Sequence, residues 1–325
     1  MSYFDEGRLL MYQNNFTKPE ITTRIRNLEQ SQEMQKKLVS VKSKMKNNIP
    51  NLIDLRLVPG ILLALLVLNT RYYYFLPIVL VLYTNLFAPR NKEEVDISED
   101  YAENFLRPIL EEVFPETKLL YNEGLALDVF ELILPGSDKY NSNCHIIFAD
   151  SYKTEFSNMT ALFVTRDNKG KTIHKVDFTG QVFQINLSTN VKGHIRIIPS
   201  TEKSILGSKN YRAYGKIREN EREITTESIK FNEDYSIFAT DDFNTRLILD
   251  PTIINILNTW REKMKVCLYM DENQLIIAFD SGGFLFPLPR LKSDVDSLSI
   301  AGEYEKVRVK LADFYELVER IREKL

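Results

Sequence analysis

With 325 residues, 44% of them hydrophobic and 27% charged, the chain has the proportions of a globular protein and lacks the composition of a disordered one. A formal net charge of −3 excludes the basic character of a dedicated nucleic-acid binder. Two distant cysteines, Cys144 and Cys267, and three scattered histidines, His145, His174 and His194, match no metal or redox spacing. The thiols read as small buried hydrophobes, and the histidines, each inside a strand-like run, as packing or hydrogen-bonding groups.

Residues 1 to 18 carry no motif with chemical content. From about Pro19 to Met45 the chain is rich in Glu, Gln, Lys and Arg, and Ile25, Leu28, Leu38, Val41 and Met45 recur at helical spacing. Gln32 and Gln35 interrupt the heptad, so this is read as a helix and not as a coiled coil. Its lysine-rich end has two readings, a determinant of topology or a contact with anionic lipid.

The strongest signal runs from Leu57 to Ala88, an apolar stretch whose one charge, Arg71, lies near its centre. A spanning helix needs about 20 apolar residues. Asn69, Thr70 and Arg71 divide the run into two shorter halves, which predicts a transmembrane helical hairpin over 57–89. Tyr72, Tyr73 and Tyr74 suit an interfacial belt, and Pro77 bends the second half. A single tilted span and a shallow re-entrant hairpin are the alternatives. Lys36, Lys37, Lys42, Lys44 and Lys46 before the run, with Arg90 and Lys92 after it, place both termini on the cytoplasmic side.

An acidic stretch, Glu93 to Asp100, then starts a helix over about Tyr101 to Val113, with Phe105, Ile109 and Val113 on one face and a kink or break expected at Pro108. Afterwards the period becomes two. His145–Phe148, Asn158–Thr165, Ile173–Leu187 and His194–Ile198 read as strands. The turn residues Asp167 to Gly170 make the middle pair a hairpin, and the region reads as an antiparallel meander. Ser200 to Glu223 is a polar loop; its Ser200-x-x-Lys203 match lacks every companion motif of the enzymes that use one.

A strand over Tyr235–Thr240 meets Asp241-Asp242, and Asp250-Pro251 opens a helix with Ile253, Ile254, Leu257 and Trp260 on its buried face. Strands Val266–Met270 and Gln274–Phe279 flank the turn Asp271-Glu272-Asn273, and Phe284-Leu285-Phe286-Pro287 follows Gly282-Gly283. The tail from Glu303 to Leu325 is an amphipathic helix: Val307, Leu311, Phe314, Leu317, Val318, Ile321 and Leu325 form a stripe that docks on the domain or meets a partner.

The order strand, Thr240-Asp241-Asp242, Thr245-Arg246-Leu247-Ile248-Leu249-Asp250-Pro251, helix, strand hairpin, Phe286-Pro287 resembles the bacterial DUF 3137 family. So does Val176 to Phe183, with its Phe178-x-Gly180-x-x-Phe183 pattern. The resemblance runs from about the apolar hairpin to Pro287. It implies a paired apolar segment ahead of a soluble domain and, as the family has no established activity, leaves the chemistry open.

Adjacent Asp241 and Asp242 point to opposite sides of a strand, which suits capping better than shared proton transfer. Gly282-Gly283 lacks the lysine and the helix start of a phosphate loop. No catalytic, cofactor-binding or metal-binding residue is assigned. The expected fold is α+β: an N-terminal helical segment (1–56), the transmembrane hairpin (57–89) and a cytoplasmic domain (90–325) with an antiparallel sheet and a C-terminal amphipathic helix. The expected role is a membrane-anchored interaction, scaffold or ligand-binding module at the inner leaflet. Its partners are the lipid bilayer and a protein met through the cytoplasmic domain or C-terminal helix, with no nucleic acid and no cofactor. The alternative is a membrane-associated enzyme using dispersed residues on a lipid or nucleotide substrate.

Overall fold

The computed structural model describes residues 15–49, 96–166, 170–188, 191–200, 214–215 and 217–322. The apolar run at 57–88, and with it the expected transmembrane hairpin, lies outside the described residues. Among those described, no helix is long and apolar enough to cross a membrane. The chain divides into two compact units.

The larger unit takes the described parts of Met1–Ser31, Ala102–Pro287 and Ser299–Leu325. Its centre is one nine-stranded, wholly antiparallel sheet. In chain order the strands are β1 (Lys118–Leu120), β2 (Lys139–Ile147), β3 (Glu155–Arg166), β4 (Thr172–Asn186), β5 (His194–Pro199), β6 (Arg222–Ile224), β7 (Tyr235–Ala239), β8 (Lys265–Asp271) and β9 (Gln274–Asp280). Their order across the sheet is β1-β2-β3-β4-β9-β8-β5-β7-β6. The expected meander therefore holds only as far as β4. The β8–β9 hairpin, later in sequence, occupies the edge of β4, and β5 pairs with β7 and β8 instead. The reason is hydrophobic: β8 and β9 are buried along nearly their whole length, which suits the middle of a sheet covered on both faces.

The unit includes helices α1 (Pro19–Gln30), α2 (Arg107–Val113), α3 (Leu127–Ile133), α4 (Ile229–Asp234), α5 (Asp242–Ile248), α6 (Pro251–Lys263) and α7 (Ile300–Arg322). Strand alternation sorts the core into two layers. On one face, Val129, Phe130 and Ile133 of α3 pack on Met159, Ala161, Phe178, Val182, Ile276 and Ala278. On the other, Phe183 stacks on Phe314 of α7 with ring centroids 3.9 Å apart, and Phe279 meets Trp260 of α6 at 4.7 Å.

Helix α6 begins where expected: the Asp250 carboxylate accepts the Ile253 N–H at 2.9 Å and Pro251 occupies the first turn. Ile253, Ile254, Leu257 and Trp260 are all buried. Pro108 acts as expected too, and the break takes a particular form. A π-helical turn, Ala102–Leu106, precedes α2, and Pro108 sits in the first turn of α2, where its missing N–H costs nothing. The tail docks: Val307, Leu311, Phe314, Leu317, Val318 and Ile321 of α7 are buried. Glu29 of α1 accepts the Ile300 and Ala301 N–H groups at 2.9 and 3.1 Å, placing a carboxylate against the positive end of α7.

The single helix expected over Pro19–Met45 is two. Ser31 leaves helical geometry (φ −63°, ψ 140°), its backbone N–H and its hydroxyl both donating to Leu28 O, so α1 ends at Gln30. The second helix, Gln32–Asn48, belongs to the smaller unit, with Ser98–Tyr101 and the Leu288–Leu298 segment containing helix Lys292–Ser297. There Lys44 meets Asp100 at 2.8 Å, Lys42 donates to Asp296 O at 3.1 Å, and Lys46 pairs with the Asp296 carboxylate. The acidic stretch opens its short helix through the Asp96 carboxylate, which accepts the Ser98 N–H.

Candidate functional site

A cavity of about 270 Å³ opens where β4, β9, α6 and α7 meet. Phe183, Phe279, Trp260, Leu285 and Leu311 form its apolar wall, each buried at 7% exposure or less. Each comes from an alternation already described. Phe183 points away from the α3 layer because its neighbour Val182 points into it, and Phe279 does so because Ala278 points into it. Trp260 stands one turn beyond Leu257 on the buried stripe of α6.

Gln181 closes one end. Its amide donates to Gly283 O at 2.6 Å and its carbonyl accepts the Ser281 hydroxyl at 3.1 Å. The Gly282-Gly283 stretch is therefore a turn, with Gly282 at φ +69° donating to Thr179 O, and it holds Gln181 in place. Lys263 at the end of α6 and Lys310 on α7 line the same cavity and are exposed, while Val309 and Asp313 complete that side. The Lys263 ammonium lies 3.9 Å from the Asp313 carboxylate. The site thus combines an apolar wall with a rim carrying two cations and one anion.

Across the sheet, on the α3 face, lies a buried charge cluster. Arg196 of β5 is fully buried, and its Nε and Nη2 donate to the two oxygens of Glu221 at 3.0 and 2.7 Å. Its Nη1 donates to Tyr214 O at 2.7 Å, and its guanidinium lies 4.9 Å from the centre of the Phe238 ring. Glu221 also meets His194 Nε2 at 2.9 Å and accepts the Arg218 backbone N–H at 2.8 Å. Burial by itself would raise the Glu221 carboxyl, but hydrogen bonds from His194, Arg196 and the Arg218 backbone prevail and hold it at about 2. Arg218 in turn donates to Glu131 O and Leu132 O, fastening the 214–221 segment to α3. Every polar atom of the Glu221 side chain is engaged, so the cluster is a clamp between segment and sheet.

Of the residues weighed in the sequence for chemistry, His194 enters the charge cluster and Gly282-Gly283 the end of the cavity, and the others converge on neither place. Cys144 and Cys267 are buried and free, and burial pushes both thiols up, away from reactivity. His145 Nε2 meets Glu155 at 2.7 Å, and His174 is exposed on β4. Asp241 caps α5, accepting the Phe243 and Asn244 N–H groups, while Asp242 pairs with Arg246 at 3.1 Å. The Ser200 hydroxyl donates to Glu233 O, and Lys203 lies outside the described residues. Among the described residues no group of three or more His, Cys, Asp or Glu is placed to hold a metal ion. The sequence signal for Arg196 is its place between Ile195 and Ile197 in an apolar strand, where a buried charge must have a partner.

The sequence profile of a family described as "Protein of unknown function (DUF3137)" matches residues 176–322. That region belongs to the DUF3137 family. The match starts in β4, later than the resemblance implied, and continues past Pro287 through α7. All the cavity-lining residues of the DUF3137 region, from Gln181 to Asp313, therefore lie inside it. No curated protein matches the chain in sequence. Among solved structures, the mycobacterial trehalose monomycolate transport factor A, TtfA, is similar at 8% identity and a TM-score of 0.25 over 50% of this chain and 74% of its own, too remote to carry fold or function.

Proposed function

We propose that the chain is a membrane-anchored ligand-binding module: the apolar run 57–88 tethers it, and the DUF3137 region at the inner leaflet holds an apolar ligand in its cavity. The observation that carries this reading is the cavity itself, about 270 Å³ walled by Phe183, Trp260, Phe279, Leu285 and Leu311. Protein interiors are close-packed, so a recess of this size with an apolar wall and an exposed rim supports a ligand site. Among its polar groups, Gln181, Lys263, Lys310 and Asp313, the pairing of an amine with a carboxylate, Lys263 with Asp313, is at 3.9 Å and beyond hydrogen-bond reach, which favours binding over turnover.

Trp260 is the one tryptophan in the chain and forms part of the wall, so it reports directly on occupancy. The full chain in phosphatidylcholine vesicles, titrated with a terminally brominated alkane, should show saturable quenching of that tryptophan. Val309→Phe, which places a larger side chain at the exposed rim, should weaken the effect. Quenching that rises without saturation and is indifferent to Val309→Phe overturns the reading.

A further inference from the structure

We infer that the cavity takes a single-chain amphiphile with an anionic head, its chain against the aromatic wall and its head between Lys263 and Lys310. This rests on the ligand-binding reading above and adds to it the class of ligand. The wall and the rim differ sharply in chemistry. Phe183, Phe279 and Trp260 line the cavity with aromatic rings, whose one polar hydrogen is the indole N–H, and Leu285 and Leu311 line it with aliphatic side chains. A ligand seated there must be apolar along its length.

At the rim the two lysines approach from different helices, Lys263 from the last residue of α6 and Lys310 from the middle of α7. Asp313 neutralises one of them in part, being 3.9 Å from the Lys263 ammonium, which leaves a net charge of one positive at the mouth. Both lysines are exposed and keep their water until a ligand arrives. An anionic head at the mouth stays partly solvated while meeting ammonium donors, so no charge is buried unpaired. A cationic head meets the same two ammonium groups at the cost of repulsion, and an uncharged head gains at most a neutral hydrogen bond, weaker than a charged pair. A free fatty acid and a lysophospholipid share the required chemistry.

The test uses the full chain in phosphatidylcholine vesicles, with Trp260 quenching as readout and ligand concentrations corrected for partition into the bilayer. Three probes share one chain and one quencher: 12-bromododecanoate, 12-bromododecanol and (12-bromododecyl)trimethylammonium. The carboxylate should bind on the order of tenfold more tightly than the alcohol, and the ammonium least tightly. Lys263→Gln with Lys310→Gln leaves Asp313 as the one charge at the rim, so it should abolish the preference for the carboxylate over the alcohol or invert it. Lys310→Arg should retain it, and Asp313→Asn should enlarge it. Within a bromoalkanoate series, each added methylene should tighten binding about three- to fourfold until the cavity is filled.

A brominated lysophosphatidate run beside the carboxylate identifies the source of the head: tighter binding by either one supports the inference and names it. Equal binding of alcohol and carboxylate overturns the anionic head and leaves the apolar site standing. Preference for the ammonium overturns it likewise. Saturable binding by none of the probes overturns both this inference and the reading beneath it.

Discussion

The Arg196 guanidinium and the Glu221 carboxylate meet as a bidentate pair, at 3.0 and 2.7 Å, with both side chains wholly removed from water. Such a pair gives little net stability compared with a well-packed apolar replacement, yet losing one partner strands the other as an uncompensated buried charge. Glu221→Ala should therefore cost about 3–5 kcal/mol, read as a fall in the urea midpoint or melting temperature. Arg196→Met combined with Glu221→Leu should recover much of that loss. If the double variant is as unstable as the sum of its single variants, the pair's coupling is not what holds the 214–221 segment.

The same carboxylate sets a pH dependence. Glu221 is held at about 2, against an ordinary value of 4.5. Above pH 4.5 it is ionised in both folded and unfolded chains, and the full stabilisation is present. Below that, the unfolded chain takes up a proton that the folded chain refuses, so stability falls as pH drops from 4.5 towards 2. The whole contribution is about 3 kcal/mol, lost at about 1.4 kcal/mol per pH unit in the steep part. Urea midpoints measured from pH 6 to pH 3 should fall less steeply in Glu221→Gln than in the parent. Parallel slopes would show that other carboxylates govern the acid limb.

Gly180 supports the cavity from below. A Cβ at that position would lie 1.7 Å from the carbonyl oxygen of Phe279, so β4 and β9 approach as they do only because the side chain is absent. Gly180→Ala should force the strands apart beside the Gln181–Phe279 pair, cost about 3 kcal/mol or more, and impair ligand binding by shifting Phe279. Gly283→Ala is the control: nothing lies within 4 Å of where its methyl group would stand, and its melting temperature should match the parent's. A neutral Gly180→Ala would mean that the strands yield at little cost.

Gly180 also explains the Phe178-x-Gly180-x-x-Phe183 pattern and shows what is legible in such a chain. The two phenylalanines are an odd number of residues apart on one strand, so Phe178 enters the α3 layer and Phe183 the α6–α7 layer, with the glycine admitting β9 between. The β8–β9 hairpin, the Asp250-Pro251 helix start and the α7 stripe were all readable because turn chemistry, capping and periodicity act within a few residues. The place of β9 beside β4 was not, since antiparallel pairing between distant segments leaves no local mark. The same holds for the rim. Lys263 and Lys310 look like ordinary solvated helix charges until packing of α6 beside α7 brings them to one opening.

The anchoring half of the proposal has its own test, made clean by the burial of both Cys144 and Cys267. Arg71, the one charge within the apolar run, is expected at the outer turn if, as proposed, the flanking basic residues keep both ends of the run on the cytoplasmic side. In intact cells a membrane-impermeant maleimide should label Arg71→Cys. Phe243→Cys, at a residue 76% exposed on α5, should be labelled only after lysis. The reverse pattern would place the DUF3137 region outside and exclude an inner-leaflet ligand. Labelling of both positions only after lysis would replace a spanning hairpin with a shallow one entering from the cytoplasmic side, which keeps the cavity next to the leaflet from which an amphiphile would come.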